Sequence, residues 1–148
     1  MNPVPRPTVA AVVEHRGRFL LVEEETDAGI AFNQPAGHLE TDESPVDGMV
    51  RETFEETACH VRPEALIGIY RWRSPLNDTT YLRFAFSARF LAEEPGRALD
   101  TGIIRAVWLT LDEVRLLQPR HRSPLVLRCI EDYLTGRRFP LDLISHIP

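Results

Sequence analysis

The chain has 148 residues, 43% of them hydrophobic and 26% charged, a composition ordinary for a globular protein and not for a disordered or membrane one, and long enough to bury a core without disulfides or structural metal. The net charge is −5, and all 17 basic residues are arginine, which argues against long nucleic acid as a partner. A small phosphorylated metabolite stays open, because an ion and a few arginines can neutralise it locally.

No apolar run approaches the roughly 18 residues needed to span a bilayer. Cys59 and Cys129 have no second pair and no metal-ligand spacing, so they read as buried thiols of a reducing, cytoplasmic compartment. With no repeat and no linker, residues 1–148 read as one domain, either monomer or homodimer.

Residues 1–7 lack an apolar secretory core and read as a short, stiff leader. Residues 8–15 (TVAAVVEH) and 19–23 are apolar runs around the turn residues Arg16, Gly17 and Arg18, the pattern of a β-hairpin. Residues 33–40 (NQPAGHLE) read as a turn-rich stretch. Ser44-Pro45 is an N-cap followed by proline at the first helical position, which predicts a helix to about Thr57. Residues 66–72, 81–90 and 106–109 read as strands, the second with Leu82, Phe84 and Phe86 on one face. Residues 93–96 (EEPG) read as a solvated turn. Thr110 and Glu113 form a capping box. Ser123-Pro124 opens a last helix, which Gly136 stops. Strands precede and follow the first helix without regular βα alternation, which predicts an α/β sandwich with a mixed sheet.

The first helix carries the chemistry. At about 100° per residue, Val46, Val50, Thr53, Phe54 and Thr57 share one arc, while Glu52, Glu55 and Glu56 fan across the other side with Arg51 at their border. Like charges at this spacing cost a few tenths of a kcal/mol per pair, and a glycine in the helix interior, Gly48, costs about another 1 kcal/mol. A hard divalent cation on this face accounts for both oddities, with Gly48 leaving room for the ion and a pyrophosphate. The alternative is an ordinary solvated helix. Residues 33–40, which deliver backbone carbonyls to the helix entrance, together with Glu43, favour the cation.

The segment 37–59, GHLETDESPVDGMVRETFEETAC, resembles the Nudix box: Gly, five residues, Glu, seven residues, then Arg-Glu-apolar-any-Glu-Glu-any-Gly-apolar. Gly37, Glu43, Arg51, Glu52, Glu55 and Glu56 stand in register; Thr53, Ala58 and Cys59 depart at the softer positions. The flanking residues, including 81–84, 122–126 and 137–141, are similar to the NudJ-type phosphatases of that family. The resemblance implies an α/β/α sandwich and Mg²⁺, with Mn²⁺ able to substitute. It implies that Glu55 and Glu56 bind the metal with Glu52 and the Ala36 carbonyl. Glu52 is then the general base or a ligand to a water on the metal, and Arg51 holds the cluster together. Asp100 is a candidate auxiliary acid from a later loop, with Glu93 and Glu94 as the other acids there.

Candidate substrate contacts are Gly37, His38, Asn33, Gln34, Arg71 and Arg83, with Arg73 as a further phosphate ligand. Phe32, Tyr70, Trp72 and Phe84 are candidate ring platforms, each equally readable as core. Residues 120–122 (RHR) read as a phosphate contact, a subunit contact or a solvated loop. The function implied is release of phosphate from nucleoside di- and triphosphates or from hydroxymethylpyrimidine diphosphate. A pyrophosphohydrolase cutting between α- and β-phosphates shares the same box. A non-catalytic Nudix-like binding module is the reading from another class.

Overall fold

The β-branched run of residues 8–15 forms the central strand on which everything else is hung. In the computed structural model, which describes residues 3–148, β1 spans Arg6–His15 and turns at Arg16-Gly17 into β2 (Arg18–Thr26). Both turn residues have positive φ, 52° and 75°, the combination that matches the right-handed twist of a tight hairpin. Of the segment read as a leader, Met1 and Asn2 lie outside the described residues, and Arg6 and Pro7 already belong to β1.

β1 and β2 pair only beside their turn, at Glu14↔Phe19 and His15↔Arg18. Beyond it they part, and each organises its own neighbours. β1 takes β4 (Ala36–His38) antiparallel on one edge and β6 (Thr80–Glu93) parallel on the other, registered from Arg6↔Tyr81 to Val13↔Ala88. β6 in turn pairs antiparallel with β5 (Cys59–Arg73). β2 is flanked antiparallel by β3 (Gly29–Asn33) and β7 (Ile103–Leu109). The sheet is mixed, as expected.

β4 lies within the stretch read as turn-rich, and β3 was not singled out in the sequence. Residues 36–38 are Ala, Gly and His, with no β-branched or bulky side chain to favour a strand. Their extended form comes from pairing with β1, a partner distant in sequence.

Alternation along β1 divides the core in two. Val9, Ala11 and Val13 face α1 (Pro45–Thr57) with Met49, Leu66 and Phe86. Val12 faces the other way, toward α2 (Leu111–Leu116) and α3 (Leu125–Leu134), with Leu21, Ile67, Val114, Val126 and Ile130. The result is the expected α/β/α sandwich. Phe84 packs against the α1 layer, so this candidate platform is core. Both cysteines are free and buried, one in each layer. Among the described residues no helix is long and apolar enough to cross a membrane.

α1 starts as expected: Ser44 Oγ accepts from the Asp47 N–H at 3.1 Å. Its buried stripe, however, is Gly48, Met49, Thr53, Glu56 and Thr57, while Val46, Val50 and Phe54 are only half-buried. The stripe is rotated because Met49 is the fully buried anchor of this layer. Thr53 meets the demand of an apolar position by donating its hydroxyl to the Met49 carbonyl at 2.8 Å. The helix ends at Ala58, whose φ of 60° is left-handed and whose N–H reaches the Phe54 carbonyl at 2.8 Å.

A Cβ in that region is strained, and glycine relieves it. Ala58→Gly is expected to stabilise the fold by about 0.5–1 kcal/mol, read as a higher urea midpoint at unchanged slope. A lower midpoint would mean that the alanine methyl is worth more in packing than it costs in strain.

Candidate active site

One guanidinium organises the acidic face of α1. Arg51 grips Glu43 with both nitrogens of its edge, Nε to Oε2 at 2.8 Å and Nη2 to Oε1 at 2.7 Å. Nη1 donates to Glu52 Oε1 at 2.9 Å and Glu55 Oε2 at 3.1 Å, and Nη2 donates to the His38 carbonyl at 3.2 Å. All five N–H donors of the fork are thereby used. The bond from Arg51 holds the Glu43 carboxyl below its ordinary range. Glu43 Oε1 also accepts from the Glu40 N–H at 2.9 Å, so the loop before α1 is tied to the same centre.

Two glycines make this packing possible. A Cβ at Gly48 would stand 2.8 Å from Glu43 Oε1, so this glycine makes room for the Glu43 carboxylate, a neighbour the sequence reading did not assign to it. A Cβ at Gly37 would fall directly on the Glu52 carboxylate. Gly37 is therefore a seat for Glu52.

Glu52, Glu55 and Asp100 each offer an oxygen, and these atoms lie within 4.8 Å of one another. Ligands on opposite sides of a divalent cation with bonds of about 2.1–2.4 Å stand about 4.2–4.8 Å apart, so one hard cation fits this all-oxygen set. Burial raises the Glu52 carboxyl, against the lowering effect of its bond to Arg51. Asp100 arrives from the β6–β7 connection, its N–H bonded to the Glu55 carbonyl at 3.0 Å.

Glu56 is not part of this cup, although it was expected as a ligand. It lies beneath, 8% exposed, with Oε1 accepting from the Ala36 N–H at 2.9 Å. Burial pushes its carboxyl up to about 9, reinforced by the charges of Glu52, Glu24 and Asp100. Ala36 thus meets Glu56 through its amide.

The other sequence candidates divide. Arg83 is 6% exposed and donates to Gln34 Oε1 at 2.8 Å and Asn33 Oδ1 at 3.1 Å, while Gln34 Nε2 donates to the Val126 carbonyl at 2.6 Å. This network is interior, joining β3, β6 and α3, so these three residues brace the scaffold rather than line an open surface. Arg71 is exposed, on the face of β5 opposite Tyr70 and Trp72. Tyr70 is buried and donates to Asp132 at 2.7 Å. Arg73 is paired with Asp78. Phe32 is buried beneath the Arg120 guanidinium, 4.9 Å from its centroid. Glu93 and Glu94 are exposed, and Glu94 pairs with His60.

Residues 120–122 are not a free basic loop. Arg120 pairs with Glu23, His121 Nε2 lies 2.8 Å from the Val114 carbonyl, and Arg122 Nη1 donates to Glu24 at 2.5 Å. Glu24, whose charge acts on Glu56 and which pairs with Arg122, is a neighbour that the linear pattern hid. His38 stands on β4 with its imidazole partly shielded from solvent; that partial desolvation and the charges of Arg6 and Arg122 lower its pKa. Arg122 also borders a cleft of about 530 Å³ whose walls include Trp72, Leu76, Pro124, Leu127 and Arg128.

A family model for the NUDIX domain matches residues 4–128. Phosphatase NudJ of Escherichia coli is 39% identical over 141 residues, 95% of this chain and 91% of its own. A solved Nudix hydrolase from Nitrosomonas europaea is 50% identical, with a TM-score of 0.95 over 97% of this chain and 98% of that one. An ADP-ribose pyrophosphatase from Streptococcus suis shares the fold, with a TM-score of 0.68 at 18% identity over 92% of this chain and 96% of that one.

Two outcomes are expected. Gly37→Ala should cost about 1–3 kcal/mol of stability by overpacking, and much less in a Glu52→Ala background, where the colliding carboxylate is gone. Equal costs in both backgrounds, measured by denaturant unfolding, would remove Glu52 as the reason for the glycine. The second concerns pH. Folded Glu56 keeps its proton to about 9, whereas the unfolded carboxyl releases it near 4.5. The folded state therefore binds more protons in that window, and in chelator this group makes stability fall as pH rises through it. Glu56→Gln should flatten that fall; an unchanged pH profile would place the effect elsewhere.

Proposed function

The chain belongs to the Nudix family of hydrolases, and on that premise we propose a divalent-metal-dependent phosphatase. Its substrates are nucleoside di- and triphosphates or related diphosphates such as hydroxymethylpyrimidine diphosphate, and its product is orthophosphate. The observation that carries this reading is the cup of Glu52, Glu55 and Asp100, the two glutamates of which are held by Arg51. The phosphatase name of the relative at 39% identity supports the choice of reaction.

Mg²⁺, for which Mn²⁺ substitutes, would supply charge neutralisation at the phosphoryl oxygens and a more acidic water. The chain supplies the rest. Glu52 is the general base: its carboxylate is half-buried, seated over Gly37 and aimed by the Arg51 Nη1 bond, so it takes the proton of the attacking water. Arg51 is a positioning group whose donors all serve carboxylates and one carbonyl, leaving none for substrate. Glu56 is the buried acid behind the cup, available to give up its proton when positive charge arrives. Arg6 and Arg122, the cations around His38, receive phosphate oxygens, and the cleft beside Arg122 takes the organic part of the substrate. Arg83, Asn33 and Gln34 keep the β3–β4 turn in place beneath it.

Product analysis on a nucleoside triphosphate, a nucleoside diphosphate, thiamine diphosphate and ADP-ribose tests this. Orthophosphate should appear with Mg²⁺ and not with chelator, and Glu52→Gln should lower kcat by about 10²–10⁴-fold. Pyrophosphate with a monophosphate, or splitting of ADP-ribose, would replace the phosphatase with the pyrophosphohydrolase. No turnover by a folded protein on any of the four would favour the binding module.

A further inference from the structure

Asp100 stands apart from the other members of the cup in how it is held. Glu52 and Glu55 project from α1 and are bonded to Arg51, whose side-chain partners are Glu40, Glu43, Glu52 and Glu55. Asp100 is brought in by an exposed arm, residues 94–102, that leaves β6 and crosses the end of α1 before entering β7. Its carboxylate must sit beside two others without a share of that guanidinium. Something else has to hold the arm against their repulsion.

The arm is fastened at two backbone points, Glu94 N–H to the Ala58 carbonyl at 2.9 Å and Asp100 N–H to the Glu55 carbonyl at 3.0 Å. Between them Arg97 lays its guanidinium 4.2 Å from the centroid of Phe54, on the outer side of α1. The same ring stacks on His60 at 4.5 Å, and His60 Nε2 lies 3.1 Å from Glu94 Oε1. Phe54 is therefore a post to which both the start and the middle of the arm are tied. It was expected in the core stripe, and its half-exposed position is explained by this duty. Arg97 also brings a positive charge onto the segment that carries the third carboxylate.

We propose that Arg97 and Phe54 are positioning residues for Asp100, their stack clamping the 94–102 arm on α1 so that the cation cup is complete. The proposal rests on the reading of Glu52, Glu55 and Asp100 as a divalent-cation site. It adds residues outside the box helix's acidic face to the machinery, acting through the arm and touching neither ion nor substrate.

The test is Mn²⁺ binding to the full chain without substrate, followed by the electron paramagnetic resonance signal of the free ion. Wild type is compared with Asp100→Asn, Arg97→Ala, Arg97→Lys, Phe54→Leu and the double variant Arg97→Ala/Asp100→Asn, with melting curves to confirm folding. Arg97→Ala and Phe54→Leu should weaken binding about two- to fivefold, the scale of an exposed cation–π contact. Arg97→Lys, which keeps the cation over the ring, should lie closer to wild type. In the Asp100→Asn background Arg97→Ala should have no further effect, because the group it positions is gone. A loss of the same size in both backgrounds, or none in either, overturns the clamp while leaving the cup in place. Absence of Mn²⁺ binding by wild type overturns the cup itself, and the clamp with it.

Discussion

A single arginine fork makes this acidic centre compatible with folding. Arg51 alone faces Glu40, Glu43, Glu52 and Glu55, and its five donors are fully committed. Removing the guanidinium would leave half-buried carboxylates repelling one another at helical spacing, a buried-charge situation that commonly costs several kcal/mol. The surroundings follow from that fork. Glu43 must reach it from the loop before α1, so Gly48 has no side chain. Glu52 must turn toward it, so Gly37 has none either. The short strand β4 places Gly37 and the His38 carbonyl where the helix needs them.

The same helix serves two masters along its length. Its inner stripe buries Met49 and Thr53 against β1 and β6, and the rotation that seats Met49 also turns Glu56 inward. One glutamate of the box is thereby withdrawn from the surface, while a residue far along the chain, Asp100, fills the open side. The centre is assembled from α1 and the β6–β7 connection together, held in register by the long β5–β6 ladder that precedes the connection.

Much of this could be read in the sequence. The hairpin, the α1 cap at Ser44, the Thr110 capping box and the stop at Gly136 are written in local residue choice, and local physics decides them. Arg51, Glu52 and Glu55 could be grouped from spacing, because helical periodicity fixes which side chains share a face, and Glu43 stood out by its place just before that helix. What was hidden depends on partners distant in sequence. Ala36, Gly37 and His38 become a strand only beside β1, and Arg83 finds Asn33 and Gln34 only across the sheet. Glu24 and Arg122 form a pair that no linear pattern announces. The rotation of α1 was missed because Val46, Val50 and Phe54 are more obvious core residues than a helix carrying Met49 and two hydroxyls.

The parallel pairing of β1 with β6 bears on how the protein comes into being. It joins residue 6 to residue 81, and no tight turn can bridge parallel strands, so a long intervening chain must be organised before the ladder closes. A chain emerging from its N-terminus has already exposed Glu43, Arg51, Glu52, Glu55 and Glu56 while the strand that completes their platform is still unmade. The acidic helix, weak by itself because its like charges oppose it, thus gains its order late, with the closing of a high-contact-order sheet. The gathering of Glu52, Glu55 and Asp100 and the completion of folding are then the same event, and a partly synthesised chain carries the motif without the cluster.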